Sequence, residues 1–590
     1  MKRKARGPAL DPITAEVVRC SLETIADEMG VTMMRTATTP TFSESHDFST
    51  AIFDWRGWMI ALAQALPIHM GACKFSVLAA LEQFGADGLH DEDIILVNDP
   101  YHGGSHIPDW TLISPVFVEG ELVLFPVTRA HQDDTGATVP GGYNPMATEI
   151  WHEGLRIPPI KICQRGELRE DLVKMLEINQ RCPTFRGDLQ AMIASNRVGA
   201  RRIRELVARY GKETVKACLD YIVDYTERRI RAEIATWPDG VYHGEAYLEH
   251  DCQGTRDIVI RASAEIAGDH LRIDFAGSHP QVRGFVNSSL PNTYSYVFLT
   301  LCSMIDDSIP KNEGVFRAVE VLLPPGSVVN PNPPAPCTAC TLHAGGEIGE
   351  AVAFALAQAV PDKAYPQNIK LGMPIITFGI DSRTGEFYVD QNIDMVGGWC
   401  NAAYGVDGWG AIAPFFGAMT MATAELGELL YPSRILSREY TTDSGGPGEW
   451  RGLPGTLVEK EMLQPVIANT YVIGTRYPHR GIAGGKAGAP NRLVLNAGSA
   501  NEMLVQETSF MTPLAAGQRA QFQIGGGGGW GDPLERDPQA VREDVLDEYV
   551  SLEGAARDYG VVLDPKTLTV DEKATAELRA GQRRGVEGGR

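Results

Sequence analysis

Several features that would place a protein in or across a membrane are missing from this chain of 590 residues. Nowhere is there a run of about 18 apolar residues, the length that a membrane-spanning helix needs. The basic N-terminus, Met1–Arg6, leads straight into Gly7-Pro8 without the apolar segment of a signal peptide. The 10 cysteines are scattered and not spaced as a disulfide framework. We therefore expect a cytoplasmic protein with reduced thiols and no membrane partner.

An excess of positive charge is also missing. The chain has 53 Lys and Arg against 75 Asp and Glu, a formal net charge of −22. A general nucleic-acid binder needs a basic face for the phosphate backbone. The arginines at 201, 202, 204 and 209 do cluster, but acidic residues follow them closely, as on the solvated face of a helix. We therefore expect no nucleic-acid partner.

Two common catalytic motifs are absent as well. There is no GxSxG sequence for a serine nucleophile and no GxxxxGK[ST] phosphate loop. The glycine run Gly525–Gly529 could bring backbone N–H groups to an anion. A series of tight turns, or a flexible segment touching a partner, accounts for it equally well. We therefore expect no nucleotide-binding site in this chain.

The stretch from Asn98 to Asp134 has the pattern of a β-hairpin. Two apolar runs, Trp110–Val118 and Leu122–Val127, lie on either side of the turn Glu119-Gly120-Glu121. Strand-forming residues around a glycine-containing turn are typical of a hairpin. Because a hairpin folds back on itself, the residues before its first strand and after its second strand lie at the same end.

Three potential metal ligands occupy those positions. His106 and Asp109 precede the first strand, and His131 follows the second. Two imidazoles and one carboxylate are a suitable ligand set for a divalent metal with open coordination positions. The alternative is that each is an ordinary surface group or a satisfied buried group. For the three together we favour a metal site.

A second hairpin is predicted upstream. Phe42–Phe53 alternates like a strand around His46-Asp47, and after the turn Asp54–Gly57 the segment Trp58–Ala65 returns as a second strand. If this hairpin packs beside the first, Asp47 joins the metal cluster as a further ligand or as a general base. The alternative for Asp47 is a strand-end carboxylate that bonds to nearby backbone.

The remaining pattern predicts a multidomain mixed α+β fold, β-rich, with antiparallel hairpins and packed helices. At roughly 150 residues per domain, the length suggests three or four domains. The linker-like Trp237-Pro238-Asp239-Gly240 marks one boundary. We divide the chain into an N-terminal α/β domain with the metal site (8–236), a central mixed α+β domain (237–440), a Gly-rich β domain (441–535), a C-terminal helix (536–570) and a disordered tail (571–590).

Cys337 and Cys340, followed by His343, have metal-like spacing. A structural zinc site usually needs a fourth ligand, and no second cysteine pair lies nearby. We favour small buried residues here over zinc, and whether the two cysteines bind anything stays open.

Several motifs in order along the chain resemble the hydantoinase B/oxoprolinase family. They are NDPYHGGSHIPD, RAHQDDTG, EGLRIPP (Glu153–Pro159), DSGGPGEWRG (Asp443–Gly452) and GGGGGWGDP (Gly525–Pro533). The resemblance covers nearly the whole chain, from about Asp11 to Val561. It implies the metal-bearing subunit of a two-component, ATP-dependent enzyme. The companion would be a hydantoinase A-type subunit with an actin-like ATPase fold, which phosphorylates a carbonyl or enol oxygen.

The resemblance also implies roles for particular residues. The metal-ligand pattern of the carboxylase branch falls on His106, Asp109 and His131, and the Asp of the upstream strand motif falls on Asp47. Two positions depart from the family pattern: Gln132 stands where many hydantoinase-type members have a second His, and His46 stands where a small residue or Gly is expected. With Asp133 and Asp134, these two are candidates for groups that surround the metal ligands.

The function that we expect is the opening of a cyclic amide, a hydantoin or a lactam, after the partner has phosphorylated it. A water held by a divalent metal (Zn or Mn) and deprotonated by Asp47 would attack the activated carbon. ATP and Mg would bind to the partner, and the enzyme would be a hetero-oligomer such as a heterotetramer acting on a small molecule. One alternative is a subunit of a ketone carboxylase of the acetone or acetophenone type, with bicarbonate or carboxyphosphate on the metal. A second is a non-catalytic assembly subunit.

Overall fold

The structure is a computed structural model, and it describes residues 10–63, 66–366, 370, 372–392, 400–410 and 420–587. Its helices are α1 Pro12–Thr36, α2 Pro40–Ser43, α3 Ile68–Phe84, α4 Glu170–Ile178, α5 Phe185–Tyr210, α6 Lys212–Ile234, α7 Leu290–Cys302, α8 Glu313–Ala318, α9 Gly345–Leu356, α10 Ala424–Leu430, α11 Pro538–Leu546, α12 Leu552–Tyr559 and α13 Glu572–Glu587. Among these described helices, none is both long enough and apolar enough to cross a membrane. The cysteines are free thiols.

The strands form four sheets. Their bounds are β1 Phe48–Asp54, β2 Met59–Leu62, β3 Ile94–Val97, β4 Asp109–Ile113, β5 Val116–Val118, β6 Glu121–His131, β7 Ile160–Gln164, β8 Glu167–Leu168, β9 Gly240–His250, β10 Arg256–Ala267, β11 His270–Asp274, β12 Val319–Leu322, β13 Gly372–Ile380, β14 Phe387–Asp390, β15 Ser433–Tyr440, β16 Thr456–Met462, β17 Val466–Val472, β18 Arg492–Leu495, β19 Met503–Val505, β20 Thr508–Leu514 and β21 Arg519–Gln523. The mixed α+β architecture with antiparallel hairpins expected from the sequence is confirmed.

The first sheet contains both predicted hairpins. Its strand order is β2-β1-β6-β4-β3-β7-β8, with β5 also paired to β6. β6 pairs antiparallel with β4 on one side and with β1 on the other. The two hairpins therefore lie side by side, which is the arrangement that the sequence argument required for Asp47 to reach the cluster.

Helices cover this sheet on both faces. On β1, Ile52 packs in one cluster with Val18 and Leu22 of α1. Its neighbour Phe53 packs in another cluster with Val77 of α3. Because both faces are covered, all seven residues of β1 are buried, and its polar residues Ser49 and Thr50 donate hydrogen bonds to backbone carbonyls.

The other three sheets have the orders β12-β11-β10-β9, β14-β13-β17-β20 and β15-β16-β21-β18-β19. The largest apolar cluster joins Phe125 of the first sheet, Ile260 of the second and Tyr471 of the third. The sheets are thus packed on a continuous core. The division of the chain into domains at 236, 440 and 535 stays a prediction.

Helix α7 has no counterpart in the sequence prediction. Ser289 caps it by accepting a hydrogen bond from Asn292 N, and Pro291 lies in its first turn. Ten of its thirteen residues are buried. A helix buried on nearly every side has no polar stripe, so it lacks the amphipathic period by which helices are recognised.

The disordered tail predicted for 571–590 is wrong over α13, and 588–590 lie outside the described residues. Arg579 donates from Nε to Tyr559 O at 3.0 Å and from Nη2 to Arg536 O at 2.6 Å. The helix is held by hydrogen bonds to backbone carbonyls, which a polar composition does not reveal. The single helix expected in 536–570 is also wrong, because α11 and α12 are separated by a turn and Ser551 caps the second of them.

We expect Arg579→Ala to loosen α13 without unfolding the chain. The substitution removes two charged donors from buried carbonyls, each worth roughly 1.5–3 kcal/mol. Amide hydrogen exchange over 572–587 should accelerate by about tenfold or more, while exchange in β6 stays unchanged. Lys573→Ala, whose side chain is 87% exposed on the same helix, is the control. Equal exchange in both variants would contradict this account of how the helix is held.

Candidate metal centre

The register of the central hairpin brings the three predicted ligands together. Asp109 is the first residue of β4, and its pairing partner on β6 is His131. Asp109 Oδ1 lies 3.2 Å from His131 Nδ1 and 2.7 Å from His106 Nε2. One potential ligand atom from each of the three residues lies within 4.8 Å of the others. The predicted clustering is confirmed, and all three side chains are buried.

The donor set fits a divalent metal. In the described part of the chain, His106 Nε2 and His131 Nε2 have no hydrogen-bond partner. His106 Nε2 is close to Asp109 Oδ1 but is not aligned with it for a hydrogen bond. A buried nitrogen without a hydrogen-bond partner destabilises the folded state by roughly 1–3 kcal/mol. Coordination of a cation would remove this penalty. Imidazole nitrogens beside a carboxylate are ligands that zinc and related ions accept.

A distant segment fixes the ring of His106. Its Nδ1 lies 2.7 Å from Thr338 O. A carbonyl only accepts, so Nδ1 carries the proton and Nε2 presents its lone pair to the cluster. Glu153 holds this segment: its two carboxylate oxygens accept from Thr338 N at 2.7 Å and Cys337 N at 2.9 Å. Burial raises the pKa of Glu153 to about 8, although these two donors lower it.

Asp109 is held from its other side. Ser105 Oγ donates to Asp109 Oδ2 at 2.6 Å, and Arg129 Nη1 lies 3.4 Å from Ser105 Oγ. Burial alone would raise the pKa of Asp109, but the neighbouring His106 and His131 outweigh it and hold the pKa well below its usual range. The carboxylate is therefore ionised, the form in which it is a metal ligand.

His69 is a member of the site that the sequence analysis did not identify. It lies in the first turn of α3, with Nε2 3.4 Å from Asp109 Oδ2 and 3.8 Å from Asp47 Oδ1. Its Nδ1 is 3.3 Å from Ser49 Oγ. Burial lowers the pKa of His69 to about 3, so its ring is neutral. The sequence marks this position only as a helix start, with nothing to place α3 against β1.

Asp47 stands at the edge of the cluster. It immediately precedes β1, and its carbonyl accepts from His131 N at 3.1 Å. Its Oδ1 has no hydrogen-bond partner among the described residues. Burial raises the pKa of Asp47 to about 7, with the charge of His131 acting in the opposite direction. The site thus has a buried carboxylate oxygen to which no group in the described part of the chain donates.

Tyr143 forms a wall of the centre and was not predicted. Its ring stacks on His131 with centroids 5.8 Å apart and meets His106 edge-on at 6.2 Å. The residue is 4% exposed. It comes from a glycine-rich loop without periodic pattern, so the sequence offers no signal for it.

The four residues predicted to surround the ligands make their described side-chain contacts elsewhere. Gln132 Nε2 donates to Ala130 O, and Asp134 pairs with Arg181. Asp133 accepts from Thr41 Oγ1, and His46 Nδ1 lies 3.4 Å from Thr420 Oγ1. Asp133 nevertheless lies near enough to Asp47 to raise the pKa of that carboxyl.

Cys337 and Cys340 lie near the loop that carries Ser105 and His106, but they do not have the form of a metal site. Cys340 Sγ donates to Ser105 O and Cys337 Sγ to Ala335 O, each at 3.6 Å. Burial raises the pKa of both thiols well above the usual range. Protonated thiols that donate to carbonyls fit small buried residues, and a zinc site needs thiolates.

Comparisons with known proteins agree with this architecture. The chain matches the model of the hydantoinase B/oxoprolinase family over residues 11–533. It is 38% identical to the beta subunit of the caprolactamase of Pseudomonas jessenii over 97% of this chain and 99% of that one. It is 32% identical to the B subunit of a putative D-/L-hydantoinase of Pseudomonas sp. (strain NS671), over 97% and 98% of the two chains.

Two solved structures share the fold. The crystal structure of ATP-dependent caprolactamase from Pseudomonas jessenii superposes with a TM-score of 0.87 at 36% identity, covering 97% of this chain and 100% of the other. A nucleotide-free structure of acetone carboxylase also gives 0.87, at 21% identity, over 98% and 84% of the two chains. The second likeness concerns the fold alone. By sequence and by fold, this chain belongs to the hydantoinase B/oxoprolinase family.

Proposed function

We propose that this chain is the metal-bearing subunit of an ATP-dependent enzyme that opens cyclic amides. The observation that carries the proposal is the buried cluster of His106, Asp109 and His131. Among the described residues, one nitrogen of each imidazole and one carboxylate oxygen of Asp47 have no hydrogen-bond partner. The relatives give the reaction class, because one is named as the beta subunit of a caprolactamase and another as the B subunit of a hydantoinase.

The ATP-dependent step belongs to a partner in this proposal. The chain has no GxxxxGK[ST] sequence, and the relatives are named as subunits. A hydantoinase A-type subunit would bind ATP and Mg²⁺ and phosphorylate the amide oxygen, which turns it into a good leaving group. The assembly is then a hetero-oligomer such as a heterotetramer. Free thiols throughout this chain suit the cytoplasm.

His106, Asp109 and His131 would hold the metal. A divalent ion there, Zn²⁺ or Mn²⁺, would lower the pKa of water towards neutrality and so supply the nucleophile. Thr338 O fixes the proton of His106 on Nδ1, so that Nε2 is available as a ligand. Ser105 orients Asp109 from the opposite side.

Asp47 is the group that would take the proton of the attacking water. Its Oδ1 has no hydrogen-bond donor in the described structure, and the side chain borders the ligand cluster. Neutral His69 lies between Asp47 and Asp109, so it separates the two carboxylates without adding charge. Tyr143 covers the imidazoles and excludes water from that side.

The test of the reaction is ADP release by this chain copurified with its ATPase partner. We expect ADP to form together with a ring-opened product from hydantoins, lactams or 5-oxoproline, and no turnover when the metal is removed by a chelator. Absence of turnover on every cyclic amide would remove the proposal. Incorporation of labelled bicarbonate into an aryl or alkyl ketone would instead assign the chain to ketone carboxylation.

Asp47→Asn and His106→Ala should separate proton transfer from metal binding. We expect Asp47→Asn to keep its metal and lose about 10²- to 10⁴-fold in kcat, because the amide cannot accept the proton. His106→Ala should lose the metal itself, as measured by elemental analysis of the purified complex. If His106→Ala keeps both metal and activity, the chain has the non-catalytic assembly role.

Glu153→Gln should weaken metal binding, although Glu153 is not one of the three proposed metal ligands. The amide oxygen can accept one of the two N–H groups that Glu153 now binds, and its NH₂ group faces the other. The Thr338 carbonyl then shifts, and groups that orient ligands in this way are worth about 10- to 100-fold in metal affinity. Competition with a chelator measures the affinity. Glu149→Gln is the matched control, since Glu149 immediately precedes the 3₁₀-helix Ile150–Glu153 and its side chain is 45% exposed. Equal affinity in the two variants would show that Glu153 does not orient His106.

A further inference from the structure

A fully buried arginine lies beside the metal ligands. Arg129 is 0% exposed, and it lies on β6 two residues before His131, so the two side chains leave the same face of the sheet. In the described part of the chain, no carboxylate forms an ion pair with its guanidinium. Arginine is almost never fully buried unless it is paired. The positive charge of Arg129 therefore needs a counter-charge that a direct ion pair does not supply.

The hydrogen bonds of Arg129 do not supply it either. Nε donates to Thr111 Oγ1 at 2.8 Å, and Nη2 donates to Ser76 Oγ at 2.7 Å. Nη1 donates to Ser105 Oγ at 3.4 Å. Within the described structure these bonds use three of the five N–H groups of the guanidinium. All three acceptors are neutral hydroxyls, which orient the side chain and leave its charge unbalanced.

Asp109 is the carboxylate to which this network leads. Ser105 Oγ donates to Asp109 Oδ2 at 2.6 Å, so a single hydroxyl separates the carboxylate from the guanidinium. The field of Arg129 also extends to His69, whose Nε2 lies 3.4 Å from Asp109 Oδ2. Burial lowers the pKa of His69, and the charge of Arg129 adds to that effect. Asp109 therefore acts as the counter-charge of Arg129.

A divalent metal at the centre would draw on the same carboxylate. Asp109 Oδ1 faces the two imidazoles of the cluster. The ion and Arg129 together carry three positive charges, while Asp109 and Asp47 supply at most two negative charges. The acidic groups Asp133 and Glu153 bond to a hydroxyl and to backbone N–H groups of other segments. An uncompensated charge in the interior is strongly unfavourable, so the loaded centre favours the binding of an anion.

We propose that Arg129 makes the metal centre select an anionic substrate, and that the anion is the phosphoryl group which the ATPase partner places on the amide. A phosphate monoester carries a charge of about −1.5 to −2 at neutral pH, whereas a cyclic amide is neutral. The centre thus binds the activated substrate in preference to the amide before activation. The identity of the anion rests on the proposed function, but the preference of the centre for an anion does not.

The test measures two affinities in the full chain, purified without its partner so that phosphate has no ATPase site to bind. Competition with a chelator gives the affinity for Zn²⁺ or Mn²⁺, and titration of the metal-loaded chain gives the affinity for inorganic phosphate. In Arg129→Met we expect the metal to bind about tenfold more tightly and phosphate to bind about tenfold more weakly, because one positive charge is removed beside both ligands. A buried charge can often be replaced by an apolar side chain of similar volume without loss of the fold.

The opposite signs of the two changes separate charge from structural damage, which would weaken both ligands. Arg129→Gln keeps a donor without the charge and should behave as Arg129→Met does. Arg129→Lys keeps the charge, so both affinities should stay within about threefold of the unmodified chain. Thr111→Val is the matched control, since it removes a hydroxyl that is bonded to Arg129 and no charge. It should lower the melting temperature and keep both affinities.

The outcomes separate this inference from the proposed function. An unchanged or weaker metal affinity in both Arg129→Met and Arg129→Gln overturns the inference, as does phosphate binding that does not depend on Arg129. Binding of bicarbonate in preference to phosphate overturns the assignment of the anion as a phosphoryl group. Turnover of cyclic amides alongside any of these results leaves the proposed reaction standing. The expected shifts without turnover of any cyclic amide support the preference for an anion and remove the reaction.

Discussion

The antiparallel pairing of Asp109 with His131 is the constraint on which the site depends. A shift of one residue in this register would turn every side chain of β6 to the opposite face of the sheet. The same strand pairs on its other edge with β1, where Phe48 is opposite Ala130. Two registers on one strand therefore bring Asp47, Asp109 and His131 to one end of the sheet, and burial on both faces fixes them.

This arrangement places charge in the interior, and the protein stabilises it with neighbouring polar groups. Asp109 is fully buried, and an unpaired charge there would be strongly unfavourable. Ser105 bonds to it, and fully buried Arg129 connects Ser105 to Ser76 and Thr111. These hydrogen bonds hold Asp109 in one orientation, as a site needs if it is to keep reacting groups at fixed distances.

The segment from Cys337 to Glu347 contributes to the site through its backbone, whereas the spacing of its cysteines and His343 suggested metal ligands. The two cysteines donate to carbonyls, while the backbone carbonyl of Thr338 orients the ring of His106. At the other end, the ring of His343 lies 6.4 Å, centroid to centroid, from the ring of Tyr471. The segment therefore acts on the site through its backbone groups, which bond to His106 and Glu153.

The sequence alone determined the parts of the site that are local. Hairpin closure needs only short-range contacts, so alternating apolar runs around a glycine turn were enough to predict that His106, Asp109 and His131 come together. Only the tertiary structure decided which other groups join them. His69 reaches the site because α3 packs on β1, and Glu153 does so because its carboxylate binds a segment 184 residues away. The positions of helices α13 and α7 were likewise decided only by the tertiary structure. These positions depend on long-range packing and on hydrogen bonds to backbone carbonyls. Such interactions leave no periodic pattern in the sequence from which they could be predicted.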